Sequence, residues 1–278
     1  MFPHVGFEIV VGHRLKSIKF ALVSLVVVGL CYVYRPDYRQ VELSELVLPA
    51  CPSISESHES QVMFYIADNL RESVGSKEID DYIQYSNLVL SNSCIPLQRT
   101  TGLMKYVKLD LSYEESFETL YELLEGSLDG VAAKNDTSTY VLILPSRHRV
   151  FEDNIVGLTN VETIDNFIVL ADDAREHVLE HEFGHLAWAQ HIETFPFALL
   201  QGQLEHSTEI KNRHKLKTYA RAYKCANAGT IMSYETRVLP IYSNPAVAYR
   251  GEACGNALNA NNAKVIREFV TEYGSAEK

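Results

Sequence analysis

The sequence predicts an α/β lobe as the larger part of the fold, and two observations carry that prediction. Between Gln61 and Leu144 the apolar residues switch between strand and helix spacing in the order strand, helix, strand, helix, strand. A further strand, Asn166 to Leu170, then leads directly into an amphipathic helix. At 278 residues the chain can bury a sizeable core, as one large domain or as two lobes around a cleft.

Taken in order, residues 1–35 stand apart. Arg14, Lys16 and Lys19 precede an apolar run from Phe20 to Tyr34, the pattern of an export signal. The run is short for a membrane span of roughly 20 residues, and no small-x-small cleavage site follows it. Cleaved signal and retained anchor both remain open, and a retained anchor would leave the rest of the chain outside the cytoplasm. Cys31 invites a lipid anchor, but Leu30 stands before it where that signal needs a small residue. Residues 36–60, polar and carrying Pro36, Pro49 and Pro52, read as a linker.

The folded part is expected over residues 61–273. Gln61 to Ile66 suits a strand, and Glu78 to Leu90 spaces Ile79, Tyr82, Ile83 and Leu88 as a helix face that Pro96 stops. Leu97 to Leu111 alternates loosely, Tyr113 to Leu128 is helical by its Phe117, Leu120, Tyr121 and Leu124, and Tyr140 to Leu144 reads as a buried strand. Ser146 to Asn160 carries few regular signals and suits an exposed excursion. The helix after Leu170 has Asp172 or Asp173 as candidate cap and Glu176 near its positive end. Ile266, Phe269, Val270 and Tyr273 give a last helix its buried face.

Composition narrows the partners. A hydrophobic fraction of 46% and a charged fraction of 22% are globular values. The net charge of −11 becomes −14 for residues 36–278, because the first 35 residues hold four Lys or Arg against one Glu. Nucleic acid is therefore excluded as an expected partner.

The chemistry concentrates in His181 to His191, HEFGHLAWAQH. His181 and His185 lie one helical turn apart, about 40° around the axis, so both imidazoles can reach one ion. Glu182 stands beside them as candidate general base. Leu179, Phe183 and Leu186 form a core stripe on nearly the opposite face, so the histidines are not core residues by pattern. A competing register exists, since His177, Glu180 and His181 spell the inverted H-x-x-E-H pattern. His191, six residues after His185, would be carried roughly 120° away on a continuing helix, so the helix must end before it can serve as third ligand. Glu193 and Glu205 are the alternative third ligands.

Downstream, Ala228 to Tyr234 reads AGTIMSY. HEFGHLAWAQH followed by that TIMSY turn resembles the metzincin superfamily of zinc endopeptidases, in particular exported bacterial reprolysin-like members. Asn87 to Gln98, NLVLSNSCIPLQ, Tyr242 to Gly251, YSNPAVAYRG, and Asn259 to Ile266, NANNAKVI, extend the resemblance over about residues 61–272. It departs at Trp188, where those families have a glycine that enters the turn cheaply; a bulky residue in that left-handed conformation costs on the order of 1–3 kcal/mol.

The resemblance implies a twisted mixed sheet with helices in an N-terminal lobe (about 61–191), and a smaller, mostly irregular C-terminal lobe (about 192–273) ending in a helix, with the active-site cleft between. It implies one Zn²⁺ held by His181, His185 and His191, a zinc-activated water attacking the peptide bond, and Glu182 moving its proton. Met232 would form an apolar base beneath the histidines, and Tyr234 would approach the zinc or the reaction intermediate. Val238, Leu239, Ile241 and Tyr242 would border the substrate side-chain pocket. No calcium site is legible. The expected partner is a protein or peptide substrate, with the membrane as a second if residues 20–34 are retained, and the chain is expected to act as an exported monomer.

Four cysteines follow the export segment, and an even number in an exported chain suggests disulfides. Three pairings are open. Cys51–Cys94 with Cys225–Cys254 is preferred because it keeps each bridge inside one lobe. Two other functions remain in play: a binding module on the same scaffold, inactive because Trp188 distorts the site, and a zinc hydrolase of another class that uses a downstream glutamate or the inverted register.

Overall fold

The computed structural model describes residues 43–51, 57–110, 115–127, 138–192 and 208–276. The first lobe is a five-stranded sheet in the order β3-β2-β4-β6-β5, built from β2 (His58–Ala67), β3 (Leu97–Val107), β4 (Thr139–Leu144), β5 (Gly157–Asn160) and β6 (Ile164–Ala171). β2 runs parallel to β3 and β4, and β4 parallel to β6; β5 closes one edge antiparallel to β6. Parallel neighbours need long crossovers. Helices α1 (Ser76–Asn92) and α2 (Phe117–Ser127) supply two of them.

Burial explains the strand order. All six residues of β4 are buried, as a central strand covered on both faces requires. Phe64 and Ile66 of β2 and Phe167 to Ala171 of β6 join it in one core, which Ile79 and Tyr82 of α1 and Leu120 and Leu124 of α2 cover.

Three segments differ from their expected form. Ser146 to Asn160 is no bare excursion: it contains a 3-10 helix over Arg149–Asn154, with His148 and Phe151 buried, and then β5. Every residue of β5 is half-buried, so GLTN lacks the apolar alternation that marks a strand. The metal-motif helix α3 (Glu176–Leu186) starts behind Arg175 without a side-chain cap. Asp172 is occupied elsewhere, accepting a hydrogen bond from the Ser146 N–H at 2.7 Å. Within the expected linker, Leu43–Glu45 forms a 3-10 turn and Leu46–Val47 is a strand, β1.

β1 belongs to the second lobe. It pairs antiparallel with β9 (Asn244–Tyr249), whose other neighbour is β10 (Glu252–Cys254), while β7 (Lys224–Cys225) and β8 (Ala228–Gly229) form a small hairpin. The closing helix α4 (Asn262–Ala276) buries Ala263, Ile266 and Val270 against Val89 and Leu90 of α1 and against Met232 and Tyr242. Phe269 stays 36% exposed, outside that face.

Cys51 bonds Cys94 and Cys225 bonds Cys254. The second bridge lies within the second lobe. The first ties the segment after β1 to the C-terminal end of α1, so it joins the two lobes instead of staying inside one. Among the described residues no helix is long and apolar enough to cross a membrane; the run Phe20 to Tyr34 lies outside them.

Candidate metal centre

Helix α3 carries the site because its two faces are bound to different things. Leu179, Phe183 and Leu186 sink into the sheet core, and Ala187 and Ala189, just past its end, enter the second-lobe cluster. His181 and His185 project on the side away from the sheet core.

The helix stops where His191 requires it to. Trp188 adopts φ 66°, the left-handed conformation. Its N–H donates to the His185 carbonyl and the Ala189 N–H to the Gly184 carbonyl, both at 2.9 Å. This is the Schellman closure that glycine makes in other helices. The indole is buried, Lys215 Nζ lies 5.3 Å from its ring centre, and the Trp188 carbonyl accepts from Gln190 Nε2 at 3.2 Å. Surrounding structure thus holds a residue whose backbone strain amounts to about 1–2 kcal/mol.

That turn brings the third imidazole to the other two. His191 Nε2 lies 3.0 Å from His181 Nε2 and 2.8 Å from His185 Nε2. Two of the opposite ring nitrogens are tied to backbone carbonyls, His181 Nδ1 to Ile231 at 2.9 Å and His185 Nδ1 to Ala189 at 3.1 Å. A carbonyl only accepts, so both rings carry their proton on Nδ1 and leave Nε2 a bare lone pair. His191 Nδ1 stands 3.0 Å from the Tyr234 hydroxyl, which can take its proton likewise.

Three lone pairs facing one another have no proton to share, and a cation resolves their repulsion. Nitrogens around a tetrahedral zinc, about 2.0–2.1 Å from it, stand about 3.3–3.4 Å apart, so the cluster accepts such an ion by opening a few tenths of an ångström. Burial lowers His181, holds His191 down at about 3, and, with the neighbouring histidines, drives His185 well below its ordinary value. All three are neutral in ordinary buffers, as metal ligands must be. The donor set fits zinc.

The competing register is not assembled. Glu180 points away into a buried cluster, receiving Arg99 Nε at 2.7 Å, Arg99 Nη2 at 3.2 Å and the Tyr242 hydroxyl at 2.7 Å. Arg99 also stacks over Phe183, 3.4 Å from its ring centre. His177 lies against Tyr85. Glu193 and Glu205 lie outside the described residues.

Beneath the histidines, the Ser233 N–H returns to the Thr230 carbonyl at 2.8 Å, which makes Thr230 to Ser233 a tight turn with the fully buried Met232 inside it. Gly184 is what lets it approach: a Cβ there would stand 2.3 Å from Met232 Sδ. Glu182, only 5% exposed, has its carboxyl pushed up to about 8 by burial. A divalent cation beside it would draw that value back down. Tyr234 is 75% exposed, with its ring centre 4.3 Å from that of His191, so it touches the ligand set from outside.

The expected substrate pocket needs correction. Leu239, Ile241 and Tyr242 are fully buried, the first two among Cys225, Val247 and Tyr249, the third under the Glu180 cluster; only Val238 stays half-buried. The cause is the backbone: the Leu239 N–H donates to the Gly229 carbonyl at 2.7 Å and the Ile231 N–H to the Ile241 carbonyl at 2.9 Å, laying this segment on the methionine turn. The Arg99–Glu180–Tyr242 cluster had no sequence signal beyond an arginine inside a strand.

No protein-family model matches this sequence, and no curated protein matches it. Among solved structures, one described as the structure of a chaperone-substrate complex is similar with a TM-score of 0.58 and 11% identity, over 82% of this chain and 36% of that one. The chain thus spans about a third of that neighbour's length. Metalloproteinase-II from Bacteroides fragilis is similar with a TM-score of 0.43 and 15% identity, over 71% of this chain and 53% of that one. The first likeness is one of fold alone; the second lies below the level from which a shared fold follows.

Proposed function

We propose that the chain is an exported zinc endopeptidase, similar in its site to the metzincins, with His181, His185 and His191 as ligands and Glu182 as general base. The observation that carries this reading is the convergence of three bare Nε2 lone pairs one residue away from a buried carboxylate. When bound there, zinc supplies a Lewis acid that lowers the pKa of water and polarises a carbonyl. The chain's own part is positional and protonic. The Ile231 and Ala189 carbonyls fix two imidazole tautomers, Met232 gives the ligands a dry floor, and the Glu182 carboxylate takes the proton that the attacking water sheds and returns it to the leaving amine. The Tyr234 hydroxyl, at the rim, serves His191 and a substrate oxygen in turn. The two disulfides suit an oxidising compartment, in line with export through residues 20–34, either released or anchored.

The test is hydrolysis of an unfolded protein substrate by zinc-loaded wild type and Glu182→Ala. The wild type should cleave; the variant should keep its fold and one zinc and lose about 10²–10⁴-fold in rate. Undiminished activity in the variant, or none in the loaded wild type, would overturn the proposal.

A further inference from the structure

The Glu182 carboxylate is buried, yet no hydrogen bond from a described residue holds it. A general base must sit within hydrogen-bond reach of the proton it takes, and among the described residues it is steric contact that confines this side chain. The confinement is the backbone of β5. At Gly157 a Cβ would stand 2.7 Å from Glu182 Oε1, 3.0 Å from Glu182 Cγ and 2.6 Å from Val178 Cγ1, all well inside the 3.5–4.0 Å of ordinary contact. The strand cannot withdraw, because Gly157 pairs with Leu170 in the ladder to β6 and the Val156 carbonyl accepts from the Ala171 N–H at 2.9 Å.

We infer that Gly157 is a positioning residue for Glu182: its missing side chain creates the slot in which the carboxylate lies, and the registered β5 backbone is the wall that fixes it there. The inference rests on the peptidase reading above. Its physical content is that even one methyl group at Gly157 moves the carboxylate without touching the metal ligands. The three atoms met all belong to side chains and none to backbone, so the fold survives while Glu182 shifts by on the order of 1 Å, a misplacement that costs about 10²-fold in rate.

The experiment compares wild type, Gly157→Ala, Val178→Ala and the double variant, all zinc-loaded, by kcat and KM on a labelled unfolded protein, by zinc affinity against a chromophoric chelator, and by thermal unfolding. Gly157→Ala should lose about 10²-fold in kcat with KM and zinc affinity unchanged. The double variant, relieved of the Val178 contact, should regain any lost stability and stay low in kcat, while Val178→Ala alone stays active. Wild-type kcat in Gly157→Ala overturns this inference alone, as does recovery of kcat in the double variant. A parallel loss of zinc affinity, or failure of both Gly157 variants to fold, assigns the glycine to general packing and overturns it too. Absence of hydrolysis by the wild type overturns both this inference and the reading beneath it.

Discussion

Trp188 carries the strain that lets His191 reach the other histidines. The residue holds φ 66° where a side chain costs about 1–2 kcal/mol, and the burial of its indole outweighs that cost. Trp188→Gly removes the strain and the indole together, whereas Trp188→Ala removes the indole and keeps the strain. Denaturant midpoints should therefore show Trp188→Ala to be less stable than Trp188→Gly by about 1 kcal/mol, with both below wild type; the opposite order would mean that the turn opens in the variants. At this scale the sequence was informative where chemistry forces spacing. The grouping of His181 with His185 was legible because a metal grip admits few alternatives, whereas Met232 was placed only by the resemblance of its TIMSY turn. Gly157 was not legible: its importance is a distance to Glu182 across 25 positions of chain, and nothing in GLTN announces it.

Between elements, the decisive contact is the buried cluster of Arg99 on β3, Glu180 on α3 and Tyr242 of the second lobe. It fixes the metal helix against both lobes, and its parts are not equivalent. Arg99→Met leaves a buried carboxylate without its countercharge and should destabilise the fold by about 3–5 kcal/mol, while Tyr242→Phe removes one hydrogen bond to a charged group and should cost about 1.5–3 kcal/mol. Urea unfolding measures both; equal small losses would mean that water reaches Glu180 in the variant. The cluster also accounts for the competing register at Glu180 and for the misplaced Tyr242. Glu180 fitted the inverted zinc pattern and Tyr242 a substrate wall, because both patterns specify residue types and neither specifies direction. Helices and the central strands were legible from periodicity, since their burial is regular. β1 and β5 were not, being two and four residues long and half-exposed or half-buried throughout.

On the scale of the whole molecule, the chain crosses back on itself. β1 precedes the first lobe in sequence yet completes the sheet of the second, and the Cys51–Cys94 bridge then returns the chain to α1. α4 packs Ile266 and Val270 on the same end of α1, where Asn92 Nδ2 donates to the Pro240 carbonyl at 3.0 Å and Arg267 Nη1 to the Ser93 carbonyl at 2.9 Å. These ties make the second lobe a fixed platform for the methionine turn, and the turn a fixed floor for the histidines. A stretch rich in proline, such as residues 36–60, concealed this arrangement because a two-residue strand has no pattern of its own. The zinc site proposed for His181, His185 and His191 on this platform can be tested by diffraction at the zinc absorption edge from zinc-loaded crystals. One anomalous peak is expected about 2.0–2.1 Å from the Nε2 atoms of those three histidines; a peak at His177 and Glu180, or none at the three histidines, would overturn the proposed site.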